Sequence, residues 1–208
     1  MTHPFAYGED ELAYLSGADE RMGAYITQLE QEGFRPSRPV EEDAFACLIR
    51  AINDQLISLK AAATIWGRVT DAFGDPPTPR ALAAATPEEI HACGTTLKKA
   101  EYMHDIACMV EAGTLDLEGL RSSPDAEVID TLVSLRGIGL WTAEMLLIHC
   151  YERPDVISFG DAAIRRGLCM LHDIDPKALT REQFDELTAV YHPYATTASI
   201  YLWYLSKQ

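Results

Sequence analysis

"LRGIGLWTAEMLLIHC" (residues 135–150) sets two glycines around one isoleucine and then runs into an apolar helix that opens on a tryptophan. Gly137 and Gly139 fit a turn between two helices, one ending near Leu135 and one starting near Trp141. Glycine accepts positive φ there and lets another backbone come close. The first N–H groups of the second helix have no partner within it and carry the positive end of the helix dipole. They make a ready anion site, for which a phosphate is the natural guest. The same spacing also suits a helical hairpin whose glycines only turn the chain, so G-x-G alone does not decide between the two.

Outward from the hairpin, nearly every segment repeats its apolar residues at three and four, and no long alternating pattern predicts a strand. In "EEDAFACLIRAI" (41–52), Phe45, Leu48, Ile49 and Ile52 form one apolar stripe. "LISLKAAATIWGRVTDAF" (56–73) predicts a second helix, stopped by "GDPPTP" (74–79). "TPEEIHACG" (86–94) predicts a short helix with Thr86 as N-cap, Pro87 at its first position and Gly94 at its exit. "TLKKAEYMHDIACMVEAG" (96–113) and "SPDAEVIDTLVSL" (123–135) follow. Beyond the hairpin come "GDAAIRRGLCML" (160–171), "TREQFDELTAVY" (180–191, capped by Thr180) and "PYATTASIYLWYLS" (193–206). The fold class is all-α, without an internal repeat or a low-complexity segment.

At 208 residues and 48% hydrophobic content, the chain can build one domain or two small lobes. No apolar run approaches the roughly 20 residues needed to span a bilayer, and the N-terminus is acidic where a secretory signal would be basic. A cytoplasmic protein is expected. Cys47, Cys93, Cys108, Cys150 and Cys169 are odd in number and form no C-x-x-C pair, which argues against disulfides and against an iron–sulfur cluster. Formal net charge is −15, an unpromising balance for nucleic acid, whose binding relies on lysine and arginine. The acid is unevenly spread. Residues 1–46 carry 3 basic against 10 acidic side chains and residues 109–160 carry 3 against 9, whereas 47–108 (6 against 7) and 161–208 (5 against 6) are near balance. A locally neutral or basic face is compatible with that distribution.

About twenty residues past the hairpin, in "DVISFGDAAIRRG" (155–167), Asp161 stands at the start of a helix, where backbone donors would hold a carboxylate ionised. An isolated aspartate there reads as an ordinary N-cap. Taken with the hairpin, the arrangement resembles the helix-hairpin-helix DNA glycosylases, in which a G-x-G hairpin grips the DNA backbone and a later aspartate does the chemistry. "FACLIRAINDQLISLKAA" (45–62) is similar to the G-Q-Q/L-V/I-S stretch of the alkylbase branch, the bacterial 3-methyladenine DNA glycosylase II type. "CGTTLKKAEYMHDIA" (93–107) resembles its G-x-x-x-K-K/R-A-E segment, and "HPYATTASIYLWYLS" (192–206) its closing helix. The likeness runs in order from about residue 41 to 205. Residues 1–40 are too short and too helical to be the extra α/β domain of some relatives.

The resemblance implies two helical lobes with the active-site cleft between them. One is residues 41–150, with the hairpin motif at about 132–150; the other is 1–40 plus 151–208, carrying Asp161. It implies a monofunctional enzyme of base excision repair, a monomer acting on double-stranded DNA at the bacterial nucleoid. Such an enzyme flips and hydrolytically removes alkylated, cationic bases such as 3-methyladenine and 7-methylguanine, with 1-methyladenine and 3-methylcytosine as further candidates. Asp161 is then the catalytic carboxylate. Trp141 and Trp203 match pocket tryptophans, whose faces attract a cationic base. Met145 and Ala162 stand where relatives often place tyrosine, which implies a wider pocket. Leu56, with Gln55, matches the wedge that fills the gap left by the flipped nucleotide. Arg136, Gly137, Gly139, Thr142, Lys98 and Lys99 fall along the expected phosphate track. No cofactor is implied beyond a sodium or potassium ion on the backbone carbonyls of Val133, Leu135 and Ile138. Bifunctional relatives carry a nucleophilic lysine where this chain has Trp141, so no imine can form at that position. Asn53 and Asp54 precede Gln55 where the family usually has small residues and glycine, and Ala195 replaces a frequent arginine.

Two other readings compete. A non-catalytic hairpin module would bind DNA without needing a carboxylate at Asp161. An acidic helical interaction protein would fit the net charge and leave the ordered motifs unexplained.

Overall fold

The computed structural model describes residues 2–208. The fold is all-α apart from one two-stranded sheet of β1 (Thr2–Pro4) and β2 (Pro39–Glu41). Between these strands lie α1 (Glu9–Ala18) and α2 (Glu20–Gln31). There follow α3 (Ala44–Asp54), α4 (Leu59–Phe73), α5 (Pro79–Ala84), α6 (Pro87–His91), α7 (Leu97–Glu111), α8 (Leu117–Leu120), α9 (Asp125–Val133) and α10 (Leu140–His149). The chain closes with α11 (Ala162–His172), α12 (Arg181–Thr188), a 3₁₀ turn (Ala189–Tyr191) and α13 (Ala195–Leu205). Two compact units emerge, Glu41–Leu146 and Thr2–Val40 with Leu147–Gln208. Among the described residues no helix is long and apolar enough to cross a membrane.

In the first unit, α7 presents Ala100, Met103 and Ala107, all fully buried, as one stripe. The two alanines permit close approach of α5 and α6, while Leu82 and Ile90 from those helices and Leu48, Ile49 and Ile52 from α3 fill the core. Local polar signals fix where the helices start. Asp43 accepts from the Ala46 N–H, and Thr86 forms the expected reciprocal cap with Glu89 ahead of Pro87. The expected helix from Leu56 starts three residues later. Ser58 accepts from the Ala61 N–H and caps α4, a local hydrogen bond that outcompetes the apolar periodicity reaching back to Leu56.

In the second unit, Met22, Ile26 and Leu29 of α2 and Leu12 and Leu15 of α1 make the buried stripes. Asp19 caps α2 through the Arg21 and Met22 N–H groups and also accepts from the Tyr191 hydroxyl at 2.6 Å, which ties the 3₁₀ turn to the α1–α2 corner. The residues leading to Asp161 are pinned to the start of α13. Thr196 N–H donates to Pro154 O, Val156 N–H to Thr196 Oγ1 and the Ser199 hydroxyl to Val156 O.

The packing of α11 on α13 depends on Gly167. A Cβ there would lie 2.2 Å from the Leu202 carbonyl oxygen, a backbone atom that cannot step aside, so only glycine lets the two helices come this close. We expect Gly167→Ala to push the helices apart and lower stability by about 1–3 kcal/mol. Thermal unfolding measures it; an unchanged midpoint would show that α11 and α13 can separate without cost.

Candidate functional site

The glycine turn lies in the first unit. Gly137 has φ +86°, and a Cβ on it would fall 2.1 Å from the Tyr102 ring of α7, so this glycine is demanded by both backbone and packing. Gly139 has open space where a Cβ would stand, and its carbonyl accepts from the Thr142 and Ala143 N–H groups at the start of α10. One glycine makes the turn and the other leaves the helix N-terminus approachable. Arg136 is exposed and reaches back to α7, with Nη2 2.6 Å from Glu101 Oε2, Nη1 3.5 Å from Asp105 Oδ2 and the guanidinium over Tyr102.

A second turn is stapled to the first. The Gln55 amide donates to the Gly137 carbonyl at 3.1 Å and to Thr142 Oγ1 at 3.0 Å. Lys99 Nζ donates to the carbonyls of Asn53 and Gln55 at 2.9 and 2.6 Å, satisfying groups that the end of α3 leaves over. Burial lowers the Lys99 pKa and raises that of the neighbouring Asp54; in each, the attraction between the two charges opposes the shift. Between these anchors Leu56 takes φ +55°, a region costly for leucine, and the residue is fully exposed. Ile57 and Leu59 beside it are also exposed. Of the residues expected on a phosphate track, Lys98 is exposed, Lys99 turns its ammonium to the α3 carbonyls, and Thr142 is buried as the Gln55 acceptor. Trp141 is half-buried in the first turn of α10, and Met145 is buried one turn on. Val133 ends α9 and is exposed; the Leu135 carbonyl accepts from the Ile138 N–H.

The carboxylate lies in the second unit. Asp161 caps α11, and its Oδ1 accepts from the N–H groups of Ala163 and Ile164, both at 2.9 Å. The same oxygen accepts from Trp203 Nε1 at 3.0 Å. Three donors on one oxygen fix the rotation of the carboxylate. Trp203, expected as a pocket wall, is 3% exposed and packs beside the His149 imidazole at 5.3 Å between ring centroids. Ala162, next to the carboxylate, is exposed.

Sequence reading missed Arg38. Its guanidinium carbon sits 4.3 Å from the centre of the Trp203 ring. Burial lowers its pKa from the ordinary arginine value, and the Asp161 charge opposes that shift. The backbone of Arg38 is held by a hydrogen bond from Phe5 N–H to its carbonyl, beside the small sheet. No periodicity or motif sets Arg38 apart from Arg35 in "FRPSRPVEE" (34–42).

Residues 49–191 match the family model for HhH-GPD superfamily base excision DNA repair proteins. The chain belongs to that superfamily. It is 33% identical over 198 residues to DNA-3-methyladenine glycosylase 1 of Schizosaccharomyces pombe, covering 93% of this chain and 86% of that one. The solved structure of the S. pombe 3-methyladenine DNA glycosylase in complex with abasic DNA superposes with a TM-score of 0.85 at 31% identity, covering 96% of this chain and 97% of the other. DNA-3-methyladenine glycosylase 2 of Escherichia coli is 30% identical over 201 residues, covering 91% of this chain. The chain spans 65% of that enzyme's length, and 56–59% of two Bacillus subtilis relatives.

Gln55→Ala is expected to leave the buried Thr142 hydroxyl and the Gly137 carbonyl without their shared donor and to cost about 1–3 kcal/mol. Chemical denaturation reads it directly. No loss would mean that the staple between the two turns contributes nothing to holding the hairpin.

Proposed function

We propose that the protein is a monofunctional DNA glycosylase that removes alkylated bases, 3-methyladenine among them, from double-stranded DNA in base excision repair. The observation that carries this reading is the fixed carboxylate of Asp161, with three N–H donors on one oxygen. A hairpin that only bound DNA would have no use for it.

The chemistry follows from charge. Alkylation at N3 of adenine or N7 of guanine leaves the base cationic, so the base departs readily with the electron pair of the N-glycosidic bond and becomes neutral. Positive charge then develops on the sugar, and a nearby carboxylate stabilises it electrostatically. Water adds its oxygen to C1′ and gives up a proton, for which the same carboxylate is the acceptor. One acid serves, in contrast to the paired acids of ordinary glycosidases. With Trp141 at the position of the lysine nucleophile, hydrolysis leaves an abasic site in an unbroken strand.

The remaining residues take supporting roles. Leu56, strained and fully exposed, is the wedge that fills the stack when the nucleotide is turned out. The N-terminus of α10, open at Gly139, takes a backbone phosphate, with Arg136 and Lys98 as nearby positive charges. Trp203 acts through Asp161 as a positioning residue. Trp141 and Met145 are the residues of the first unit suited to contact the base, and in the second unit the small, exposed side chain of Ala162 beside Asp161 suits bases as wide as 7-methylguanine, 1-methyladenine or 3-methylcytosine. The reaction needs no cofactor. A sodium or potassium ion on the carbonyls of Val133, Leu135 and Ile138 would sit at the turn just past the end of α9, sharing the Leu135 oxygen with the Ile138 N–H, and would lend positive charge next to a phosphate. A cytoplasmic enzyme with access to the chromosome is the localisation that goes with this reading.

Asp161→Asn keeps the shape and loses the charge. Release of bases from methylated duplex, scored as alkali-cleavable abasic sites, is expected to fall at least about 10²-fold while duplex affinity stays within a few-fold. Near-normal release by this variant would overturn the assignment.

A further inference from the structure

Four leucines are exposed among the described residues, and all four stand in the first unit: Leu56, Leu59, Leu97 and Leu140. The wedge uses Leu56 and leaves the other three unexplained. Leu59, Leu97 and Leu140 are the first residues of α4, α7 and α10. Capping does not ask for leucine there, since the caps of α4 and α7 are the preceding Ser58 and Thr96. The three helix starts meet around Gln55. Leu59 follows it by four residues, Lys99 in the first turn of α7 donates to its carbonyl at 2.6 Å, and Thr142 in the first turn of α10 accepts from its amide at 3.0 Å. Leucines scattered over a surface need no explanation, whereas apolar side chains gathered within a polar rim mark an interaction site.

Resting on the glycosylase reading above, we propose that Leu59, Leu97 and Leu140 form, around Leu56, an apolar seat for duplex DNA, lying against the C–H faces of deoxyribose and the base faces that the wedge opens. Continuity names the occupant, because the turns that carry these leucines also carry Leu56 and the open start of α10, the elements that meet the duplex in that reading. Charge agrees with it. The seat is rimmed by three helix N-termini, each the positive end of a dipole, and by the exposed Lys60 and Lys98, which directly follow Leu59 and Leu97. Duplex DNA offers the matching surface, apolar sugars and bases edged by phosphates. Lys99 and Arg136 are engaged within the chain, so little of the affinity of this unit can come from neutralising phosphates. Burial of leucine supplies affinity that salt does not screen, which suits a chain of net charge −15.

The test is equilibrium binding, from low to high salt, to a duplex holding one tetrahydrofuran abasic analogue. Wild type is compared with Leu59→Ala, Leu97→Ala, Leu140→Ala and, as a control, Val190→Ala, which removes an exposed apolar side chain of the second unit. Leu59 is 81% exposed and Leu97 and Leu140 42% and 44%, so Leu59 has the most surface to cover. Leu59→Ala is expected to weaken binding about 10-fold and the other two about 3-fold each, with the slope of log affinity against log salt unchanged. Unfolding midpoints stay at the wild-type value because the side chains are exposed, and Val190→Ala binds as wild type does. Wild-type affinity in all three leucine variants would overturn the seat. A shallower salt slope in those variants would overturn it by making the leucines supports for Lys60 and Lys98. Lost self-association in sedimentation, with DNA affinity intact, would overturn it by making a second copy the occupant. A loss in Val190→Ala as large as in Leu97→Ala would overturn it as an unspecific effect. Release of abasic sites from methylated duplex is scored on the same samples. Wild type that releases bases, with leucine variants that bind normally, removes the seat and leaves the glycosylase assignment intact; wild type that neither binds nor releases overturns both.

Discussion

A single oxygen, Oδ1 of Asp161, is where the second unit converges. Two of its donors come from the first turn of α11 and follow from local capping. The third, Trp203 Nε1, comes from α13 and can reach only because α11 and α13 touch at Gly167, one and a half turns from the cap. The hydrogen bonds that strap residues 154–156 to Thr196 and Ser199 bring the chain to that cap in register. An N-cap with its own two donors would be a sufficient account of an aspartate at a helix start. The indole N–H adds an orientation that capping does not need and that the proposed hydrolysis would use.

The first unit solves a different problem, presenting two turns with few side chains free to hold them. Gly137 lies against Tyr102, and the Gln55 amide crosses from the Leu56 turn to the glycine turn. Lys99 gives its charge to two carbonyls at the end of α3, so a residue that sequence reading set on a phosphate track is spent on architecture. Arg136 is likewise shared with Glu101 and Asp105. In a chain of net charge −15, backbone N–H groups at a helix N-terminus offer a phosphate site that costs no additional basic residue.

The helices were legible where caps and apolar stripes agree, as at Thr86, Thr180 and the α3 stripe. They were illegible where a short element has no capping box to announce it. α5 and α8 lie within stretches that periodicity cannot register, and three-residue strands beside prolines show no alternation. α12 stops at Thr188, whose hydroxyl bonds to the Phe184 carbonyl one turn back, and the chain tightens into a 3₁₀ turn where one continuous helix was expected. Asp161 and Trp203 were each legible as motif residues, but the bond between them spans 42 positions and no spacing rule encodes it. Arg38 was invisible for the same reason: its meaning lies in the ring it covers.

The central claim is that Trp203 serves catalysis through Asp161, and a double-mutant cycle tests it most directly. Trp203→Phe keeps an aromatic face and removes the N–H. Single-turnover release of 7-methylguanine is measured for wild type, Trp203→Phe, Asp161→Asn and the double variant. If the indole acts through the carboxylate, the double variant is no slower than Asp161→Asn, because the donor has nothing left to orient. If the two losses multiply to within about 0.5 kcal/mol of additivity, Trp203 acts on the base independently and the account of a pinned carboxylate is wrong.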